Sequence, residues 1–327
     1  MPENTNIQME RLPNQKPQVN LARPTAVRMW IISFCALLVV IQSSLGDSFS
    51  SLIIAACAVA AALLTEFFIL YRSGREKAVK DGSAVASALI LTILLPNQIS
   101  PFYAVAGAVF AMVVVKHSFG GLGSNWLNPA AGGWLFVRFS WPASFADALE
   151  ASPLSLLTDY LRQGAAYPNG YNDGEILSGF ADFFASPFPG IIADRGSLAL
   201  IAVSVIIIAS RVNRFWIPLV FLAVYGVLVR FAGALPTGGE RWEGDVLLAI
   251  CSGGTLAAAL FLANDPVTGT KSNFGILLAA AAGGALAFFF RFYGGEPYGA
   301  FFALVFVNAM IPLARIFERR RLYERYS

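Results

Sequence analysis

Charge is what this chain has least of. Charged residues are 13% of its 327, about half the roughly 25% of soluble domains, and that excludes an ordinary water-soluble globule. Histidine is almost missing. His117 is the single one, so a haem or metal centre built from several histidines of this chain is excluded. Cysteine is scarce as well: Cys35, Cys57 and Cys251 lie far apart inside apolar runs without CxxC spacing, which leaves zinc and iron–sulfur frameworks unsupported.

What is present is apolar. Hydrophobic residues make up 57%, mean hydropathy is +0.63, and the apolar runs approach the roughly 20 residues that cross a bilayer as helix. The pattern predicts an all-α polytopic membrane protein with about ten transmembrane helices, near 25–45, 50–71, 82–96, 99–116, 128–143, 197–210, 214–235, 244–263, 273–292 and 297–315. The first run follows a polar tail and is long enough to span, so it reads as a helix rather than a signal peptide.

Basic residues sort to alternate connections. Arg11, Lys16, Arg23 and Arg28 precede or open the first span, Arg72, Arg75, Lys77 and Lys80 follow the second, Lys116 ends the fourth, and Arg319, Arg320, Arg321 and Arg325 close the chain. The positive-inside rule then places both termini in the cytoplasm. Beside a span, the basic tail reads as a topology determinant, not a nucleic-acid patch. Acids collect on the other side, with Asp147, Glu150, Asp159, Asp173, Glu175, Asp182 and Asp194 in one long loop. The expected organisation is a cytoplasmic tail 1–24, a first membrane repeat 25–143, an extracytoplasmic loop 144–193, a second repeat 194–315 and a basic cytoplasmic tail 316–327.

Between the fourth and fifth runs stands KHSFGGLGSNWLNPA, residues 116–130. Its glycines do not complete GxGxxG and follow a membrane helix, which excludes a nucleotide cradle. Non-helical backbone at that depth is tolerated only where it is buried in protein or lines a water-filled cavity. A broken-helix turn fits, with Asn125 and Asn128 available to freed backbone groups; packing and ligand contact both stay open. Blocks of similar texture lie on each side of the long loop: LLPNQISP then NPA in the first, LANDPVTGTK then NAMIP around Asn308 and Pro312 in the second. Similar blocks in opposite orientation suggest an inverted repeat. Glu66 lies inside the second run, where an acid is costly and by default a functional candidate; the competing reading pairs it with a basic group. Asp81 with Lys80, and Asp265 with Lys271, sit at inner helix ends, where solvated or capping roles compete with catalysis.

The segments TEFF (65–68), 81–136, FLANDPVTGTK (261–271) and PYGAFFALVFVNAMIPL (297–313) resemble the D subunit of Rnf-type ion-translocating electron-transport complexes, and the related B subunit of the sodium-pumping NADH:quinone reductase. The likeness covers about two thirds of the chain. It implies ten helices in two inverted five-helix repeats within a bacterial inner-membrane complex. Such a complex couples electron flow between ferredoxin and NAD to movement of Na⁺ or H⁺. It also implies partner subunits, FMN attached by a flavin transferase through a phosphoester to threonine in a Ser/Thr-Gly-Ala-Thr motif of the outer loop, and non-covalent riboflavin. Glu66, Asp81, Asn125, Asn128 and Asn308 become ion-path candidates.

The flavin anchor departs from the family pattern. LEASPLS (149–155) puts Leu149 at the hydroxyl position, Glu150 at the glycine and Ser152 at the acceptor threonine. Ser152 keeps the hydroxyl a phosphoester needs, while Glu150 sets an anion beside the phosphate. A second reading is therefore carried forward: a channel or transporter on the same scaffold that has lost covalent flavin.

Overall fold

A computed structural model describes residues 25–45, 49–121, 124–125, 127–145, 191–210, 214–237, 239–265 and 272–326. Among them the chain is helical, with a single isolated β-bridge between Pro96 and Ile191. Three helices are long and apolar enough to cross a membrane: Thr25–Leu45, Ser50–Arg72 and Asn273–Tyr293. Shorter apolar helices pack among them.

The first half contains α1 (Thr25–Leu45), α2 (Ser50–Arg72), α3 (Ser83–Leu94), α4 (Pro101–Phe110, continued as π-helix over Ala111–His117) and α5 (Pro129–Ser140). The second contains α6 (Ser197–Ser210), α7 (Trp216–Ala232), the interrupted α8, α9 (Asn273–Phe288, continued as π-helix over Phe289–Tyr293) and α10 (Gly299–Tyr326). The sequence predicts one span over 244–263. Instead α8 breaks into Val246–Cys251 and a half-helix, Thr255–Ala257 continued over Ala258–Leu262. The break follows from Gly253 and Gly254, at φ of 62° and 66°, a left-handed conformation that residues with a Cβ avoid.

Helix α3 is the centre of the first half. Its Ser83, Ala84, Ala86 and the run Ala88–Leu94 are all buried, against α1, α2, α4 and α5. At 12 residues and 1.5 Å per residue it is roughly 18 Å long, against about 30 Å of hydrocarbon, so its polar ends lie inside the protein. Small residues let the neighbours close in: a Cβ on Gly133 of α5 would meet the Gly107 carbonyl oxygen of α4 at 2.7 Å, and one on Gly284 of α9 the Phe221 carbonyl oxygen of α7 at 2.4 Å.

The segment before α6 ties the halves together. Ile192 N–H donates to the Leu95 carbonyl at the end of α3 (3.0 Å), and Asp194 accepts from Gly254 N–H at the head of the α8 half-helix (2.8 Å). At the other end, Ser83 of α3 and Asn264 and Asp265 beyond α8 line one cleft. The two half-helices therefore run in opposite directions.

Candidate functional site

The cleft forms where α3 begins. Asp81 accepts from Ser83 N–H at 2.8 Å and from the Ser83 hydroxyl, giving free N–H groups at the helix start an anionic acceptor. The π-helical widening at the end of α4 carries Lys116 inward until it is 1% exposed, and such widenings recur at functional sites. Lys116 Nζ donates to Glu66 Oε1 and to Ser83 Oγ, the latter at 2.6 Å. Glu66, itself 1% exposed, comes from α2 and holds the pair, with His117 Nε2 at 3.5 Å from the same oxygen. Its second oxygen, Oε2, has no hydrogen-bond partner among the described residues. Desolvation offsets much of such a pair's attraction, so stability alone does not account for charges buried here.

Next to this pair, Ser87, Asn125, Asn128, Asn264 and Asp265 form the polar wall of the cleft; Met29, Ile32, Ile90 and Phe261 form its apolar wall. Asn128 caps α5, its Oδ1 accepting from Ala130 N–H (2.9 Å) and Ala131 N–H (3.4 Å), while its Nδ2 donates to Asp265 Oδ2 (3.0 Å) across the two halves. Among the described residues two buried atoms in the cleft have no hydrogen-bond partner: Asn125 Oδ1, an acceptor, and Asn264 Nδ2, a donor. The enclosed space is about 40 Å³, room for roughly three waters. Among the described residues no group of His, Cys, Asp and Glu could hold a metal ion. Asn125 and Asn264 are the polar groups a flavin's edge would meet here, and in a space of this size its ring fits only if the apolar wall opens.

The structure brings Glu66, Asp81, Asn125 and Asn128 around Ser83. Glu66 takes the basic partner weighed in the sequence, and Asp81 caps. Asn308 is not in the cleft. It is buried within α10, its Nδ2 without a hydrogen-bond partner among the described residues, and its match to Asn128 fails because Asn128 starts a helix while Asn308 lies inside one. Ser152 and most of the loop 144–193 lie outside the described residues, as does the tail 1–24. Sequence reasoning missed the roles of Lys116, which reads there as a positive-inside charge ending the fourth span, and of Asn264. The signal available for Lys116 was its opposite sign to Glu66 at the same end of the bundle.

Apolar helices long enough to span, with half-helices whose polar heads are buried, define a polytopic helical membrane protein. The chain belongs to the NQR2, RnfD, RnfE family, whose model matches residues 13–324. It is 27% identical to the D subunit of the proton-translocating ferredoxin:NAD(+) oxidoreductase complex of Clostridium ljungdahlii, over 92% of each chain. It is 28% identical to the D subunit of an ion-translocating oxidoreductase complex of Vibrio cholerae, over 94% of this chain and 97% of that one. With the D subunit of the Na(+)-translocating ferredoxin:NAD(+) oxidoreductase complex of Acetobacterium woodii it shares 26% identity over 84% and 82%.

Proposed function

We propose that this chain is the multi-pass inner-membrane component of an Rnf-type complex. It works with the other subunits to couple electron transfer between ferredoxin and NAD to movement of Na⁺ or H⁺. The observation that carries the reading is the Glu66–Lys116 pair at the head of a buried half-helix, in a chain matched over nearly its full length to relatives from such complexes. Broken helices beside a cleft between repeats are where inverted-repeat transporters bind their ions, and at this half-helix head the Glu66 carboxylate supplies the negative charge a cation needs. Glu66 holds the mobile charge, Lys116 tethers it while the site is empty, and Asp81, Asn125 and Asn128 shape the approach.

Ten helices in two inverted repeats, α1–α5 and α6–α10, are the architecture we infer. Support comes from matched parts: a third helix preceded by a left-handed glycine, Gly82 or Gly254; a fourth ending in π-helix, each carrying a buried cation, Lys116 or Arg291; and half-helices in opposite directions. Both termini would be cytoplasmic.

Flavin belongs to the same proposal. Riboflavin would be held at its polar edge by Asn125 and Asn264, with Asn128 and Asp265 beside it, and FMN by Ser152 through a flavin transferase. Bound flavin supplies one- and two-electron transfer; this chain supplies position and exclusion of water. The test is flavin fluorescence of the denatured protein, co-expressed with its transferase, beside Ser152→Ala, together with ferredoxin:NAD oxidoreductase activity of the purified complex. A fluorescent band lost in the variant and an active complex support the reading. No flavin in denatured or native protein, with solute flux through the chain alone, would move it to the channel reading.

A further inference from the structure

Among the described residues, the second buried cation has no carboxylate as a hydrogen-bond partner. Arg291 is 5% exposed, at the π-helical end of α9, and reaches into the break of α8. Its Nη1 has four oxygens around it: Tyr225 Oη at 2.9 Å, the Ala249 carbonyl at 2.6 Å, the Ser252 carbonyl at 3.0 Å and Thr255 Oγ1 at 3.0 Å. Nη2 donates to Ser252 Oγ at 2.7 Å. A guanidinium nitrogen has two hydrogens, so four oxygens exceed what directional hydrogen bonding asks for. Two are carbonyls at the end of one helix half, the groups with which interrupted helices coordinate monovalent cations; the third is the Thr255 hydroxyl at the head of the next half and the fourth the Tyr225 hydroxyl of α7. The cage is closely packed: a Cβ on Gly253 would meet the Pro297 carbonyl oxygen at 2.5 Å, and one on Gly254 the Phe301 ring at 2.3 Å.

We propose that this oxygen cage is a monovalent-cation site permanently filled by the chain's own guanidinium, and that Arg291 thereby seals the far end of the inter-repeat route against cations. The inference rests on the translocating reading above. The two half-helix heads are then unequal. At Ser83 the buried cation faces Glu66, a carboxylate that can exchange partners. At Gly254 the second-helix partner is Tyr225, a neutral hydroxyl; the nearby anion, Asp194, attracts Arg291 through space but is held in place by the Gly254 N–H, which it accepts. Ions exchange at the first head. At the second a fixed charge repels them, as an arginine does in a water channel, and buried Ala257, Ala258 and Ala259 pack the half-helix behind it.

The test is passive ²²Na⁺ efflux from de-energised inverted vesicles that contain the whole complex, with no electron donor. Arg291→Ala should raise efflux at least tenfold over the parent, 5 mM guanidinium chloride should return it to within twofold, and Arg291→Lys should stay sealed. Arg291→Gln, which keeps bulk and drops charge, should leak at least threefold and carries the test if the alanine variant does not assemble. Efflux at the parent rate in both variants, a leak that guanidinium does not reduce, or failure of both to assemble even in cells grown with guanidinium would overturn the proposal. Donor-driven uptake in parent vesicles is scored separately. A sealed Arg291→Ala with that uptake intact refutes the plug alone, whereas absent uptake refutes the translocating reading.

Discussion

Replacing Lys116 by methionine keeps the length of the side chain and removes its charge, which leaves Glu66 buried with His117 Nε2, 3.5 Å away, in place of the ammonium it was paired with. The side chains of the pair are 1% and 2% exposed, so water cannot compensate. Breaking such a pair from one side costs about 3–5 kcal/mol. Glu66 can always escape by taking a proton, which at pH 7 costs a carboxyl of ordinary pKa near 4.3 roughly 3.7 kcal/mol, and that sets the ceiling. At about 2–4 °C per kcal/mol for a large domain, Lys116→Met should lower the melting temperature of the detergent-solubilised protein by on the order of 10 °C. The double variant Lys116→Met with Glu66→Gln removes both charges and should recover most of that loss, because an uncharged replacement of a buried pair is often neutral or stabilising. The assay is fluorescence-detected size-exclusion after stepwise heating. Lys116→Met within about 2 °C of the parent, or a double variant as unstable as the single one, would refute the burial argument.

Other consequences can be checked in the same preparation. Asn128→Ala removes the α5 cap and the bond to Asp265, and should cost about 1–2 kcal/mol, read as a melting shift of several degrees; an unchanged melt would contradict the assigned cap. Gly133→Val forces a side chain against the Gly107 carbonyl at 2.7 Å and should abolish assembly, read as loss of the monodisperse peak, whereas Gly295→Ala, with nothing within 4 Å of the added Cβ, should assemble with only backbone strain of about 1–2 kcal/mol.

Much of the fold could be read before the structure, because long apolar helices announce themselves by composition. The first two spans and the run over 273–292 match within a few residues. The break of α8 was hidden. Gly253 and Gly254 sit in an apolar run, and in membrane helices glycine more often marks close packing than interruption. The site was half legible. Glu66 stood out as an acid in an apolar run, and Asn125 and Asn128 as polar groups in a turn that had to be buried. Lys116 and Arg291 did not, since a basic residue near a span's end normally reaches the interface. Only the π-helical turns of α4 and α9 direct them inward, and nothing in composition marks such a turn. Asn308 illustrates the opposite error: texture paired it with Asn128, but a helix start and a helix interior give an asparagine different work.

The central claim, that Glu66 carries the mobile charge of an electron-driven ion translocator, is tested most directly by ions moved per electron. The complex, reconstituted in sealed vesicles with reduced ferredoxin and NAD, would be compared with its Glu66→Gln form. Uptake of ²²Na⁺ and protons would be recorded against NADH produced, a ratio independent of how much complex assembles. The account predicts continuing electron transfer with the ratio reduced at least fivefold. A ratio unchanged from the parent, at any electron-transfer rate, would contradict it.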